Sequence, residues 1–466
     1  MASAATEADD GSVIHGYRSV WRWHFYAALW TAPLLIVLTL TGAIYLFDRE
    51  FDGWWNREIQ TVAARATLLP LARQEAIVRG AFPGGEISRV RLPSAPDEAS
   101  VWNIRTAQGE ARDVYVDPYR GQVTGTADPA KQPMNIVRDL HGTLLGGEIG
   151  SHVVELVACW TLVMMATGIW LWWPRKWKVK GVFVPRLATS GRRFWRDLHA
   201  IPSIFNSLFV ILLVLTGLPW SAFWGQQFAK IGEVIPFVAM SPNFKAPPKA
   251  DGSMGVDPHR AHKTMAEADR DSSKIPWTIK HVHQPRGSGH GPVGVSDIER
   301  LLPKLDQQRF GGGVRIFYPK GEKGVFMVSY VPDKAEGQRT IYVDPGSGRI
   351  LGDIGWSNYS PTAKAVEWGV MTHMGRQYGL PNQIANLIVC LVLVASVAAG
   401  LTLWWKRRPK GELGDPQLDA GNRMPGGVKA LIAALAFLFP LVGATMIPIL
   451  LWSAFRRLGG TTTSRQ

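Results

Sequence analysis

The sequence predicts an α-helical membrane bundle, built as two tandem repeats of helix, soluble module and helix, with one extra C-terminal helix and α+β modules. Three observations lead to this fold class. Five apolar segments are long enough to cross a ~30 Å hydrocarbon core, which needs roughly 20 apolar residues. The same motifs recur in the same order in both halves of the chain. The two long stretches between spans are polar and show strand-like alternation.

Composition supports a membrane protein and excludes several other classes. The chain has 466 residues, a formal net charge of +14 and 20 tryptophans. Many tryptophans stand at the ends of the apolar segments, as in the aromatic belts of membrane proteins. The positive charges lie beside the same segments, which favours the lipid bilayer over nucleic acid as their partner. The two cysteines, Cys159 and Cys390, lie inside apolar segments, which excludes a disulfide framework or a four-thiolate metal site.

The apolar segments and the polar stretches between them predict the domain boundaries. The apolar segments themselves cover about residues 23–47, 153–173, 201–224, 384–405 and 430–452. The predicted organisation is 1–17 cytoplasmic tail, 18–51 first transmembrane helix, 52–136 first module, 137–173 short histidine-bearing helix and second transmembrane helix, 174–196 basic cytoplasmic loop, 197–224 third transmembrane helix, 225–370 second module with an insert, 371–405 short histidine-bearing helix and fourth transmembrane helix, 406–428 cytoplasmic loop, 429–455 fifth transmembrane helix and 456–466 tail. The first apolar segment is expected to remain as a helix rather than be cleaved as a signal peptide.

The charges of the short connections predict the orientation in the membrane. Residues 174–196 contain eight lysines and arginines and no acidic residue, and residues 406–410 are again basic. The positive-inside rule places these loops in the cytoplasm. Both modules then face the periplasm from a bacterial inner (plasma) membrane. The fifth span fits this scheme less well, because it would leave Arg456 and Arg457 outside.

Matched motifs indicate a tandem duplication. His24 and His199 each precede the glycine of an LTG motif by 18 residues, and His141 and His373 each precede a tryptophan by 31 residues. The motifs VYVDPYRGQVTG and IYVDPGSGRILG occupy the same relative place in the two soluble stretches. Two parallel repeats imply a pseudo-two-fold axis along the membrane normal.

The soluble stretches are predicted to be α+β modules. Residues 70–82 have a helix-like composition, with Pro70 at a suitable first position. The segments SVWNIRT and DVYVDP alternate as strands do, and DPYRG and DPGSG have the composition of turns. A similar unit recurs at about residues 295–352. The insert at 237–291 has no counterpart in the first half, and we interpret it as a loop or lid.

The four repeated histidines are candidate ligands of a cofactor, because an ionisable residue in or beside a membrane span indicates a functional site by default. In the predicted orientation, His24 and His199 lie near the cytoplasmic ends of their helices, whereas His141 and His373 lie beyond the periplasmic ends. Two-fold symmetry brings each pair to one axis at one depth. Two neutral imidazoles there can be the axial ligands of a haem iron. The alternative is that each is an ordinary interfacial histidine.

These pairs predict two b-type haems, an inner one held by His24 and His199 and an outer one held by His141 and His373. Neither pair alone provides enough ligands for tetrahedral zinc. A continuous helix from His141 to Trp172 would be roughly 46 Å long, which exceeds the bilayer. The glycines after His141 and after His373 therefore predict a turn before each span.

The remaining histidines are weaker candidates. His152 lies 11 residues after His141 and is interpreted as a boundary residue, an alternative axial ligand or a donor to a ligand. A cluster in the Gly-rich part of the insert either contacts a metal or ferric chelate or belongs to a solvated loop, which is the simpler interpretation; its members are His281, His283 and His290, with His259 and His262 before them. No catalytic base or nucleophile is predicted, and no dinucleotide-binding fingerprint is found.

Four motifs carry a resemblance to a known family. They are WRWHFYAALW...LTLTG, VRDLHGTLLGGEIG...ATGIWLWWPRK, FWRDLHAIPSIFNS...LTGLPWS and MTHMGRQYGLPNQ...GLTLWWKRR, with YVDP elements in the modules. With these motifs the chain resembles, over about residues 15–410, the PepSY-associated transmembrane helix family of iron-regulated membrane proteins. The insert and the fifth span depart from the minimal family pattern.

The resemblance implies an inner-membrane dihaem oxidoreductase whose paired PepSY-like modules face the periplasm. Such a protein takes electrons from a quinol or a cytoplasmic donor and reduces ferric iron held in a siderophore. Two other functions stay open at this point. One is a non-redox scaffold whose PepSY-like modules regulate a peptidase or another envelope protein, and the other is a transporter, because duplicated spans are common there.

Overall fold

Two compact units make up the computed structural model. The residues that it describes are 3–174, 177–234, 276–280, 285–288, 290–305, 313–406, 408 and 425–459. The helical unit comprises the described parts of Met1–Ala43, His141–Leu218 and Leu387–Gln466. The sheet unit comprises the described parts of Ile44–Leu140 and Pro219–Asn386.

Long helices and groups of strands alternate along the chain. In chain order they are α1 (Ser3–Tyr45), α2 (Asp48–Trp55), α3 (Arg57–Gln60), α4 (Leu71–Ala81), β1 (Glu86–Arg91), β2 (Ser100–Arg105), β3 (Ala111–Val116), β4 (Val123–Ala127), α5 (Pro133–Thr143), α6 (Gly147–Trp172), α7 (Gly191–Gly217), α8 (Ala222–Val234), α9 (Trp277–Lys280), α10 (Val295–Leu305), β5 (Arg315–Phe317), β6 (Phe326–Tyr330), β7 (Arg339–Val343), β8 (Ile350–Gly355), α11 (Pro361–His373), α12 (Leu380–Trp405), α13 (Gly426–Leu438) and α14 (Pro440–Gly459).

Four helices in the described part of the chain are long and apolar enough to cross a membrane. They cover Gly16–Tyr45, Gly147–Trp172, Gly191–Trp220 and Leu380–Trp405. Three of them, α1, α6 and α12, share a buried core in the helical unit, which includes Leu35, Leu38, Val157, Met164, Leu393 and Val397. The chain is therefore a multi-pass membrane protein that combines apolar helices with an antiparallel sheet.

The predicted fifth transmembrane helix at 429–455 was wrong as a single helix. α13 ends at Leu438, α14 begins at Pro440, and the two are bent by 118°. Phe439 between them is extended, with φ −115° and ψ 87°. A proline disfavours the helical conformation of the residue before it, which explains the break. The segment is a broken span or a re-entrant pair of helices.

A turn separates α5, which carries His141, from the span α6. Leu144 and Leu145 after the end of α5 have φ values of 48° and 59°, and Gly147 has a φ of 57°. Glycine adopts this left-handed conformation without strain, which accounts for a glycine at the start of α6. The turn shortens the path from His141 to Trp172, which as one helix would exceed the bilayer.

A second turn separates α11 from the span α12. His373 is the last residue of α11, and Gly375 and Gly379 after it have φ values of 72° and 63°. Asn386 Nδ2 donates hydrogen bonds to the carbonyls of Thr372 at 2.7 Å and His373 at 3.0 Å. These bonds hold the C-terminal end of α11, which carries His373, against α12.

The strands of both soluble stretches form one antiparallel sheet. Its order is β4-β3-β2-β1-β5-β6-β7-β8, so β1 and β5 pair at the centre and each half runs outward in chain order. A β-bulge at Tyr115 and Val116 has its counterpart at Tyr342 and Val343, at the same position of the YVDP motif. The sequence indicated two modules, whereas the structure joins them through main-chain hydrogen bonds. Both soluble stretches must therefore lie on the same side of the membrane.

The two faces of the sheet have different surroundings. One face forms the main core with α4 and α10, and its buried residues include Val78, Val90, Trp102, Ile298, Ile316 and Val328. The other face has smaller apolar clusters towards its two ends, around Tyr342 and Ile354 on one side and around Val101 and Tyr115 on the other. Alternate residues of a strand point to opposite faces, so the neighbours of Val90 and Ile316 belong to the second face.

Most of the predicted insert at 237–291 lies outside the described residues. His259, His262, His281 and His283 also fall there, so the structure assigns them no role. Within the described part, α9 is tied to α11, because the Thr278 backbone amide donates to the fully buried carboxylate of Glu367 at 2.8 Å. Gln338 Nε2 donates to the same carboxylate at 3.2 Å.

Cysteine labelling tests whether one sheet contains both soluble stretches. In a chain with Cys159 and Cys390 replaced by alanine, Arg120→Cys and Ser347→Cys place single thiols on exposed turns of the first and second stretch. We expect both thiols to react with a membrane-impermeant maleimide from one side of the membrane. Lys180→Cys, which lies beyond α6, should react only from the other side. Labelling of positions 120 and 347 from opposite sides would contradict the shared sheet.

Candidate functional site

His24 packs against α6 at a glycine. A Cβ atom on Gly168 would lie 3.3 Å from His24 Cε1, which is tighter than an ordinary contact. His24 Nδ1 lies 3.0 Å from Thr167 Oγ1, and that hydroxyl already donates to the Val163 carbonyl at 2.9 Å. The hydroxyl can therefore only accept from the ring, which places the proton of the neutral imidazole on Nδ1 and leaves the lone pair on Nε2.

His199 has the equivalent environment on α12. A Cβ atom on Gly400 would lie 3.1 Å from His199 Nδ1, so this helix also approaches the ring closely. His199 Nδ1 donates to the Ser396 carbonyl at 2.8 Å. A carbonyl oxygen only accepts hydrogen bonds, so Nδ1 again carries the proton and Nε2 the lone pair of the neutral ring.

The rings of His24 and His199 lie close together in the helical unit. Their centres are 6.4 Å apart and their planes are inclined by 68°. Both rings are half-buried, and in the part of the chain that the structure describes neither Nε2 atom has a hydrogen-bond partner. Two imidazoles that bind one metal ion from opposite sides have centres roughly 6 Å apart, since each metal–nitrogen bond is about 2 Å and each nitrogen lies about 1 Å from its ring centre. This pair has the separation of two ligands of one metal ion.

His141 makes the same kind of contact with α1. A Cβ atom on Gly42 would lie 3.0 Å from His141 Cε1. His141 Nδ1 donates to the Leu38 carbonyl at 2.8 Å and lies 3.2 Å from Thr41 Oγ1. Burial lowers the pKa of His141 below its ordinary value, because the charged form would lose solvation. The ring is therefore neutral at neutral pH and suited to bind a metal.

His373, the predicted partner of His141, belongs to the sheet unit. It is half-buried at the C-terminal end of α11. The pairing of His141 with His373 stays a prediction. His152 Nδ1 hydrogen bonds to the Glu148 carbonyl at 2.9 Å, one turn earlier in its own helix, so this contact assigns it no ligand role.

The described ranges contain no group of three or more His, Cys, Asp or Glu side chains that could hold a metal ion. Paired imidazoles are thus the ligand arrangement that the described residues offer. His290, from the Gly-rich cluster, is exposed and lines an open cavity of about 440 Å³ together with Glu75, Arg79 and Tyr318. A contact of His290 with a metal or chelate stays a prediction.

The glycines are the part of the site that the histidine pattern alone missed. Each of the three rings packs on a glycine and hydrogen bonds to the backbone carbonyl four residues before that glycine. The glycines and carbonyls are Gly168 with Met164, Gly400 with Ser396 and Gly42 with Leu38. A signal for all three was present. Gly168 and Gly400 follow His141 and His373 by the same 27 residues, and Gly42 is the LTG glycine that follows His24 by 18 residues. Spacing alone did not show that they contact the other histidine of each repeat.

Comparison with known proteins identifies the family. No curated protein matches the chain. The family described as PepSY-associated TM region matches residues 21–407, which is most of the chain and contains the four repeated histidines and the whole sheet. The chain therefore belongs to the PepSY-associated transmembrane family, as its motifs predicted.

Proposed function

We propose that this protein is a haem-dependent reductase of the bacterial inner membrane, which moves electrons across the bilayer to reduce ferric iron held in siderophores at the periplasmic face. The observation that carries the proposal is the His24–His199 pair, two neutral imidazoles from different helices with ring centres 6.4 Å apart. A histidine pair at this separation inside an apolar bundle is costly to retain without a ligand role.

The surroundings of the pair fit a haem in three respects. The two rings offer the two axial nitrogens that haem iron takes in bis-histidine proteins. Each Nδ1–H is held by an oxygen on a neighbouring helix, Thr167 Oγ1 or the Ser396 carbonyl. Aromatic residues follow His24 and Gly400 along their helices, and Phe25 stacks on Trp21 at 5.4 Å and contacts Trp404 at 5.9 Å.

The protein's own residues would orient the ligands. When bound, haem would supply a one-electron couple between ferric and ferrous iron. Hydrogen bonds from Nδ1 to an outer oxygen fix the tautomer and ring orientation of a ligating histidine and raise its basicity. Thr167 and the Ser396 carbonyl would have this role for His24 and His199. Gly168 and Gly400 would allow the helices to approach the rings.

We extend the proposal to a second, outer haem held by His141 and His373. The support is that His141 has the same Nδ1-to-carbonyl bond over a glycine as the two inner rings. The tandem repeat supports it further, because His141 and His373 occupy equivalent positions relative to their spans. The symmetric strand order of the sheet is consistent with such a repeat.

The substrate and the direction of electron flow rest on the family resemblance and on charge. The basic loops at 174–196 and 406–410 support a cytoplasmic location for the ends that carry His24 and His199, and a periplasmic location for the sheet. The ferric ion of the siderophore would gain one electron that originates from a quinol or a cytoplasmic donor. Chelators of hard ferric iron hold ferrous iron less tightly, so reduction would release the metal.

Alanine substitutions test the ligand assignment. His24→Ala or His199→Ala removes one axial nitrogen, so we expect haem per purified chain to fall by half, measured by the pyridine haemochrome method. His141→Ala or His373→Ala should remove the other haem. His152→Ala is the matched control and should retain both. The ligand assignment is wrong if folded His24→Ala and His199→Ala proteins each keep the wild-type haem content.

A glycine substitution tests the second part of the site. Gly400→Val adds a branched side chain whose Cβ would lie 3.1 Å from His199 Nδ1, so the ring must move away from the Ser396 carbonyl. We expect about 10- to 100-fold weaker retention of the inner haem, the usual effect of losing a partner of a ligating histidine. Transfer of haem to apomyoglobin measures this retention. Ala398→Val, on the exposed side of the same helix, should leave it unchanged; equal loss in both variants would contradict a specific role for the glycine.

A further inference from the structure

Arginines occupy the centre of the sheet on the face opposite to α4 and α10. In the β1–β5 pair, Arg89 stands opposite Phe317 and Arg91 opposite Arg315. The residues between them, Val90 and Ile316, are fully buried in the core on the other face. Three guanidinium groups and one phenyl ring therefore form the middle of the second face, at the seam between the two soluble stretches.

Among the described residues, two of these arginines have partners and the third has none. Arg89 Nε donates to Asn103 Oδ1 at 2.5 Å, and Arg91 lies 3.6 Å from the Glu98 carboxylate. The guanidinium of Arg315 forms no hydrogen bond or ion pair with any residue that the structure describes, and its Nε atom is buried. Arg315 is half-buried, and a cationic group that loses water without gaining a counter-charge is costly.

The charges around Arg315 increase this cost. Burial first, and then the positive charges of Arg89, Arg91, Arg376 and Arg49, lower its pKa well below the ordinary value. All four of these charges belong to other arginines.

Several carboxylates of the sheet unit already have partners. Arg376 is paired with Asp48 at 2.7 Å, and Arg49 is paired with Asp333. Glu98 lies beside Arg91. The sheet unit thus gathers four arginines around Arg315, and among the described residues no carboxylate forms an ion pair with it.

A row of unpaired hydroxyls continues from Arg315 across the sheet. Ser329 on β6 stands opposite Arg315, and Thr340 on β7 stands opposite Ser329. Both side chains are fully buried, and neither hydroxyl has a hydrogen-bond partner in the part of the chain that the structure describes. Buried polar atoms without partners are uncommon and indicate a missing ligand or water.

We propose that this arginine surface, formed by Arg89, Arg91 and Arg315 with Ser329 beside them, binds the oxyanion groups of an anionic ligand. Resting on the proposed function, the ligand is a ferric chelate that presents carboxylate or phenolate oxygens. Guanidinium groups bind such oxygens through paired, charge-assisted hydrogen bonds, and an anion here would compensate the charge of Arg315. The phosphate of an anionic lipid has the same chemistry and is the alternative source.

Titration of the purified, full-length protein in detergent tests this inference. The probes are ferric citrate and a ferric tris-catecholate as anionic chelates, and a neutral ferric trihydroxamate as the uncharged comparison. We expect Arg315→Gln to weaken binding of the anionic chelates about 10- to 100-fold and to leave the neutral one unchanged, as for the loss of a charge-assisted hydrogen bond. The control is Arg105→Gln, an exposed arginine at the end of β2, which should bind as the wild type does.

Further measurements separate the possible outcomes. Arg315→Lys keeps the charge but loses the paired donors, so it should bind with intermediate affinity, and added salt should weaken anionic binding to the wild type. These two measurements test the site even where Arg315→Gln does not fold. Wild-type affinity for anionic chelates in both Arg315 variants would overturn the inference.

Lipid and haem provide the remaining comparisons. If Arg315→Gln weakens binding to anionic phosphatidylglycerol nanodiscs and leaves chelate binding unchanged, the surface binds lipid and the inference that it binds a chelate is wrong. If Arg315→Gln changes the haem content or the haem spectrum and leaves chelate binding unchanged, the surface binds a haem carboxylate and the inference is again wrong. A haem-free wild type that binds anionic chelates through Arg315 would refute the proposed function and retain this inference.

Discussion

The close approach of imidazole rings to glycines on neighbouring helices is the contact on which the candidate site depends. In the helical unit, His24, His141 and His199 each reach a carbonyl four residues before a glycine, where a Cβ atom would lie only 3.0–3.3 Å from the ring. The bond to Nδ1 sets the tautomer, and the tautomer sets which nitrogen is available to a metal. Because Gly168 and Gly400 have no side chain, their helices can pack close to the histidine rings. This packing therefore decides which nitrogen of each ring is available to a metal.

The sheet is a second constraint, and it acts on the soluble stretches. Because β1 pairs with β5, two segments far apart in sequence share one set of main-chain hydrogen bonds and one core with α4 and α10. The pairing also places Arg89 and Arg91 beside Arg315, a juxtaposition that neither half has alone. The seam between the two soluble stretches thus carries a cationic surface at the centre of the sheet.

The sequence predicted the helical spans, the α+β composition and the proximity of His24 and His199, because apolar length and equal spacing report on them directly. It did not predict the break at Pro440, since hydropathy averaged over 429–455 conceals the conformational effect of one proline. It indicated two modules rather than one sheet, because strand alternation carries no information on which edge strands pair. The unpaired hydroxyls of Ser329 and Thr340 were equally invisible, since their burial follows from that pairing.

Electron paramagnetic resonance of the oxidised, unmodified protein tests the central claim most directly. The account predicts low-spin ferric haem with two nitrogen ligands. The 68° angle between the rings of His24 and His199 further predicts a strongly anisotropic signal for the inner haem, because crossed ligand planes keep two iron d orbitals close in energy. A protein that carries no haem, or one whose haem is entirely high-spin, would contradict the account.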